Sequence, residues 1–217
     1  MTTIEDELWA RIVRPHLPHG ANDKLDKKQQ QDLSILIQHW AADSIQHHLA
    51  QLVEPTTLRE WSITWKGKRN FMGAIRKQEV DVWIAHPDAG LVLACDPKHL
   101  QSKDSLGKNW KNTHNDLVAF ASNLHERFPL CAVGGVIAYP EWAGTPSVLQ
   151  QMHGICCRSI PRDRPLNAYG KFEGFALVVY GGPGELTWPF ENSSPLRPSF
   201  AFKALAEKVY SRTIAIL

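Results

Sequence analysis

The stretch Glu79-Val80-Asp81-Val82-Trp83-Ile84-Ala85-His86-Pro87-Asp88-Ala89-Gly90-Leu91-Val92-Leu93-Ala94-Cys95-Asp96-Pro97-Lys98 decides the fold. Two apolar runs, Val80–Ala85 and Leu91–Cys95, flank the turn-rich tetrapeptide Pro87–Gly90, which predicts a β-hairpin. A symmetric turn pairs Val82 with Cys95, Ile84 with Leu93, and Asp81 with Asp96. Strand side chains alternate, so Lys98 joins Asp96 on one face. Val82, Ile84, Leu91 and Leu93 then form one apolar face, and Trp83, Ala85, Val92 and Ala94 the other. A ribbon apolar on both faces reads as a buried central pair.

Directly opposed like charges weaken strand pairing by up to about 1 kcal/mol, and by more when buried. A divalent cation removes the conflict. Mg²⁺ takes oxygen ligands and keeps several waters, which suits two carboxylates and a backbone carbonyl. The candidate metal ligands are therefore Asp81, Asp96 and the Pro97 carbonyl. Glu79, two residues before Asp81 and on the same face, is available to a second-metal position. Lys98 is placed to orient a water or to stabilise charge developing on a phosphate. The candidate catalytic set is Asp81, Asp96 and Lys98.

The formal net charge of +2 says little about partners, but its distribution says more. Lys66, Lys68, Arg69, Arg76 and Lys77 lie between Glu60 and Glu79 with no acid among them. Lys98, Lys103, Lys108 and Lys111 follow the hairpin, opposed by Asp104. Arg158, Arg162, Arg164 and Lys171 form a third run with Asp163. Each run alone reads as a solvated face. Two of them bracketing a candidate metal site point to a polyanion, with these residues contacting phosphates.

At 217 residues the chain is expected to form a single domain. An N-terminal helix and loop would occupy 1–28, the core 29–139, and 140–217 would complete the core. An apolar fraction of 43% with 8 Trp supports a sizeable core, and no run is long and apolar enough to suggest a membrane span. The acidic N-terminus lacks a signal-peptide pattern, so a cytoplasmic location is expected. The 4 cysteines match no zinc spacing, and Cys95 and Cys131 fall in predicted core strands, so reduced thiols are expected. His39, His47 and His48 share a helix but offer no i, i+4 pair with a helping acid. No G-x-x-x-x-G-K-[ST] occurs, so no nucleotide cofactor is expected. Neither G-x-S-x-G, H-E-x-x-H nor C-x-x-C is present.

Outward from the hairpin, periodicity places the remaining elements. Thr2 or Thr3 caps a first helix carrying Ile4, Leu8 and Ile12. A long amphipathic helix runs from about Gln29 to Val53. Trp61, Ile63 and Trp65 alternate with polar residues, which predicts a strand over Leu58–Lys66. A helix ending near Phe128 buries Leu117, Val118, Ala121 and Leu124, with Asp104 or Ser105 as its cap. Leu130–Tyr139 reads as a buried strand whose Gly134 and Gly135 mark the close approach of another backbone. Ser147–Ile155 reads as one or two helical turns, Phe175–Tyr180 as a strand, and Phe200–Ser211 as a terminal helix. The order implies an α/β fold, a mixed central sheet flanked by helices.

These residues resemble the PD-(D/E)XK nuclease superfamily, the fold of many type II restriction endonucleases and of several repair and junction nucleases. In that family an acid begins the second core strand and a (D/E)-x-K triplet ends the third; here they are Asp81 and Asp96-Pro97-Lys98. The family's helix, strand, hairpin, helix, strand order is similar to residues 29–139. Val80 stands where the name-giving proline would be, and Asp96 where Glu is commoner. A literal Pro87-Asp88 falls in the hairpin turn, too far from Asp96. The resemblance implies a restriction-endonuclease-like core with Mg²⁺ held by Asp81, Asp96 and the Pro97 carbonyl, and Lys98 helping to activate the attacking water. The implied activity is Mg²⁺-dependent hydrolysis of phosphodiester bonds in double-stranded DNA by a type II restriction endonuclease. A chain of this size that cuts both strands is expected to work as a homodimer on a palindromic site. A structure-specific repair or junction nuclease shares the fold, and a non-catalytic nucleic-acid-binding subunit is the reading from another class. Sequence recognition is expected from the Ser147–Lys171 region or the Lys66–Arg76 connection.

Overall fold

The computed structural model describes residues 2–18, 25–61, 63–65, 67–101, 103–162, 168, 170–182 and 184–216, without the side chains of 60 and 103–105. Its elements are α1 (Ile4–Ile12), α2 (Lys27–Ala50), α3 (Pro55–Glu60), β1 (Arg69–Met72), β2 (Lys77–Val80), β3 (Val82–His86), β4 (Gly90–His99), α4 (Lys103–Arg127), β5 (Ala132–Pro140), α5 (Pro146–Arg158), β6 (Gly174–Tyr180), β7 (Leu186–Thr187) and α6 (Pro198–Val209), the last continued by a π-helical turn, Tyr210–Ile214. The fold is α/β. A five-stranded sheet runs in the order β3-β4-β5-β6-β7, with β4, β5 and β6 parallel and β3 and β7 antiparallel at the edges. Helices α4 and α5 make the crossovers that parallel neighbours require. Strands β1 and β2 form a separate antiparallel ribbon.

The sheet separates two apolar layers. Val82, Ile84, Leu93, Cys95, Val136 and Val178 pack under α1, α2 and α6. Ala94, Val133, Ile137, Leu177 and Val179 pack under α4 and α5. Strands β5 and β6 are buried along their whole length, which is why they read as continuous apolar runs. What approaches Gly134 and Gly135 is side chains rather than another backbone: a Cβ on Gly134 would lie 2.6 Å from the Leu205 side chain of α6, and one on Gly135 2.6 Å from that of Phe175.

The central hairpin forms in the expected place with one change of register. Val82 pairs with Cys95, Trp83 with Ala94 and Ile84 with Leu93; then Ala85 pairs with Leu91 and His86 with Gly90, so the ladder slips at Ile84/Ala85. The extra residue is Val92, which has no partner on β3. Such a bulge leaves two residues on one strand opposite one on the other. Its effect is to exchange Leu91 and Val92 between faces: Val92 packs under α2 and Leu91 under α4.

The strand expected over Leu58–Lys66 shrinks to a single antiparallel bridge between Thr64 and Trp83. Pro55 at the first helical position starts α3 instead, which absorbs Leu58, and Trp61 is buried beyond its end. The connection expected from Lys66 to Lys77 contains β1 and the start of β2. Helix α2 begins two residues earlier than expected because Asp26 and Gln29 form a capping box. Thr3 and Asp6 do the same for α1. Asp104 and Ser105 lie inside α4 rather than capping it, and α5 is longer than the one or two turns expected.

At the end of the sheet where β5 and β6 begin, Glu173 is buried among cations. Its Oε1 accepts from Arg162 Nη1 at 2.9 Å and Arg212 Nη1 at 2.6 Å. Its Oε2 accepts from Val133 N at 2.8 Å and His125 Nε2 at 3.2 Å. Burial alone would raise the Glu173 pKa, but the His125 bond, the Arg212 pair and the Val133 N–H reverse this and hold it down at about 2. Three separate parts of the chain are tied together here. Glu173→Gln leaves two guanidinium groups facing a neutral amide and is expected to destabilise the fold by about 3–5 kcal/mol at pH 7. The folded pKa lies below the unfolded value, so this contribution is full above the unfolded value and lost as pH falls towards about 2. Urea midpoints at pH 7 and pH 3 check it. The gap between wild type and variant narrows in acid, and equal midpoints at pH 7 would refute the clamp.

Candidate active site

Asp81 occupies the bend between β2 and β3, directly before the first pair of the hairpin ladder. Asp96 lies on β4 immediately past Cys95, the last residue paired with β3. Both carboxylates are largely buried, with residue exposures of 7% and 8%. Each feels the other's charge, which adds to the cost of burial at Asp96. Burial pushes the Asp96 carboxyl up to about 6; the Lys98 ammonium opposes this and the Asp81 charge adds to it. The expected meeting of Asp81, Asp96 and Lys98 therefore occurs, although Asp81 stands one residue outside the ladder.

Lys98 Nζ is 2.7 Å from Asp96 Oδ1. That ammonium is half-exposed, while the two carboxylates are buried. Two buried like charges together favour a bound cation. Hard oxygen donors suit Mg²⁺, so the residues present fit that ion. Among the described residues no cluster of three or more His, Cys, Asp or Glu is assembled. Any metal here would take two carboxylates, with backbone oxygen and water completing its shell.

Pro97 fits that need. Trp83 exchanges both backbone hydrogen bonds with Thr64 at 2.9 Å, so its polar groups point away from β4. Backbone direction alternates along a strand, so Cys95 and Pro97 point theirs towards β3. Strand β3 begins at Val82, which leaves Pro97 beyond its end and on the side of Asp81. No N–H is needed there, which explains a proline within an inner strand. Its carbonyl is directed to the side of the strand that β3 has left open.

Glu79 does not join the buried pair. It is exposed on β2, and its Oε1 binds Lys68 Nζ at 2.8 Å. The same ammonium is 3.3 Å from Asp81 Oδ1. Lys68, expected to contact phosphate, is thus the counter-ion of the site's outer acids, and the Glu79 bond raises its pKa most. The spacing signal for this was weak: Lys68 precedes β1, whose sequence Arg-Asn-Phe-Met does not alternate as a strand with one buried face would.

The other cations divide. Lys66 and Arg164 lie outside the described residues, as does the side chain of Lys103, the first residue of α4. Arg69 is exposed, with its guanidinium 5.1 Å from the Trp83 ring and 5.4 Å from that of Phe71. Arg76 and Lys77 are exposed at the far end of the ribbon, about 13 Å along β2 from Asp81 at strand rise. Asn123 of α4 anchors that end, accepting from Ile75 N at 2.9 Å and donating to Arg76 O at 3.0 Å. Lys108 and Lys111 are exposed in the first third of α4, which follows β4 and so starts at the Lys98 end of the sheet. Arg158 is exposed at the far end of α5. Arg162 corrects the sequence expectation: it is fully buried against Glu173 and cannot reach a phosphate.

His99 was not anticipated. It follows Lys98 but faces the other side of β4, with Nε2 2.8 Å from Tyr180 Oη, and burial lowers its pKa to about 4. It is neutral near pH 7 and separated from the carboxylates by the strand itself. All four cysteines are free, and Cys95, Cys131 and Cys156 are buried. Among the described residues no helix is long and apolar enough to cross a membrane. No protein-family model, curated protein or solved structure matches the chain.

Asp96→Asn is expected to raise stability by about 1–3 kcal/mol at pH 8 without divalent cations, because it removes one of two buried like charges. A carboxyl whose folded pKa exceeds its unfolded value holds more protons when folded, so wild-type stability falls as pH rises from about 4 towards about 6. The advantage of the variant therefore shrinks towards pH 4. Guanidinium unfolding at both pH values measures it, and a variant less stable than wild type at pH 8 would contradict the account.

Proposed function

We propose that the chain is a Mg²⁺-dependent endonuclease that hydrolyses phosphodiester bonds in double-stranded DNA, built on the PD-(D/E)XK plan and acting as a type II restriction endonuclease. One observation carries this reading: Asp81 and Asp96 are buried together at the end of the hairpin, with Lys98 Nζ 2.7 Å from Asp96 Oδ1. Purely structural packing would favour one carboxylate or none there. The order of β3, β4, α4 and β5 supports the reading, whereas the strand the family would place before the hairpin is reduced here to the bridge at Thr64.

In this reading Asp81, Asp96 and the Pro97 carbonyl would hold the ion. Mg²⁺ bound there supplies a water of lowered pKa and charge to offset the pentavalent phosphate. Lys98, with its stem along β4 and its ammonium half-exposed, orients the attacking water and donates to a non-bridging phosphate oxygen. Burial of both acids keeps competing water away and strengthens each interaction. Lys108 and Lys111 lie at the Lys98 end of α4, where they can meet backbone phosphates. Two chains would supply the two cuts a duplex requires, so a homodimer belongs to the proposal.

The test is incubation of plasmid and bacteriophage DNA with the protein, with Mg²⁺ or EDTA, alongside Lys98→Ala. Discrete Mg²⁺-dependent fragments are expected, with a loss of at least about 100-fold in the variant. Cleavage unchanged by Lys98→Ala would place the chemistry elsewhere. Cleavage of branched but not linear or plasmid duplexes would move the reading to a junction nuclease.

A further inference from the structure

The position next to the carboxylate pair is already filled by a positive charge of the chain's own. Lys68 Nζ lies 2.8 Å from Glu79 Oε1 and 3.3 Å from Asp81 Oδ1, so it bridges the two acids that a second metal ion would need. The contact is built into the fold. Arg69 pairs with Val80 in the ribbon, which fixes Lys68 opposite Asp81, while Asn123 anchors the ribbon's other end. Phe71 packs edge-on against Trp83 at 5.6 Å and holds the ribbon against β3.

We infer that Lys68 is a resident second cation, and that the site therefore takes one divalent ion per chain, shared by Asp81 and Asp96, rather than two. This rests on the nuclease reading of the Asp81–Asp96 pair and assigns Lys68 a role in it. Charge supports the assignment. Three carboxylates against two ammonium groups leave the cluster with one negative charge. One divalent ion turns this into one positive charge, which a single phosphodiester neutralises. Two such ions would leave a large uncompensated excess beside the substrate. Distance supports it as well: an ammonium within 3.3 Å of Asp81 Oδ1 excludes a metal and its water shell from the Glu79 side. Lys68 is thereby a positioning residue, holding Asp81 in place on the side away from Asp96.

The experiment is a titration of the full-length protein with Mn²⁺ in the absence of DNA. Calorimetry and the electron paramagnetic resonance of free Mn²⁺ count the bound ions independently of activity. Wild type is expected to bind one Mn²⁺ per chain. Lys68→Met, and Lys68→Gln as a milder variant that keeps a donor towards the acids, are expected to bind two. Adding Glu79→Gln to either is expected to return the count to one, and Lys68→Arg to keep it at one. Circular dichroism of each variant establishes that it is folded. Two ions in wild type overturn the inference whatever the variants do. One ion in wild type and in every folded Lys68 variant also overturns it, while leaving the nuclease reading intact. No ion bound by any of the proteins overturns both.

Discussion

Two carboxylates held side by side out of water set the terms for the rest of this fold. Asp81 comes from the bend between β2 and β3 and Asp96 from β4, and each would be better solvated at the surface. Their meeting requires a bend at Asp81, the end of the β3 ladder at Val82, and a strand that continues alone from Asp96 to His99 against β5. Pro97 fits only because β3 has already ended beside it. The sheet accommodates the pair by placing it where antiparallel pairing stops and parallel pairing continues. A central strand there has one edge open to a ligand.

Cations of the chain compensate part of this charge from two directions. Lys98 reaches back along β4 to Asp96, and Lys68 reaches across from the root of the ribbon to Asp81 and Glu79. Neither is fully buried, so each keeps part of its hydration while lowering the repulsion between the acids. The Glu173 cluster at the start of β6 is the contrasting case. There the carboxylate is satisfied by four donors, its pKa falls to about 2, and no oxygen is left for a ligand. Asp96 moves the other way: burial and the Asp81 charge raise its pKa, and the half-exposed Lys98 ammonium opposes them. One buried acid is saturated by four donors and holds the structure together; the other pairs with a half-exposed lysine at the open end of a hairpin.

Much of this was legible in the order of residues, and the failures have local causes. The hairpin followed from alternation around Pro87–Gly90, and the pairs Val82–Cys95 and Ile84–Leu93 formed as expected. The bulge did not follow, because the extra residue, Val92, is as apolar as its neighbours and leaves no mark in the pattern. Trp61, Ile63 and Trp65 alternate as a strand should, yet Pro55 started a helix upstream and left room for one bridge. The ribbon strand β1 carries one half-buried apolar residue, Phe71, and no period reveals it. Arg162 looked like its basic neighbours because its burial depends on Glu173 and on Pro129, contacts made only by the folded chain. Asp81, Asp96 and Lys98 were legible because strand geometry alone brings them together. Lys68 was not, because its position depends on the ribbon.

The most direct test of the central claim is a crystal soaked in Mn²⁺ and measured at the manganese absorption edge. The account predicts an anomalous peak between the Asp81 and Asp96 carboxylates, within coordination distance of Asp96 Oδ1 and of the Pro97 carbonyl. Full loading with Mn²⁺ that leaves no peak there, with Asp96 Oδ1 still facing only Lys98, would contradict it.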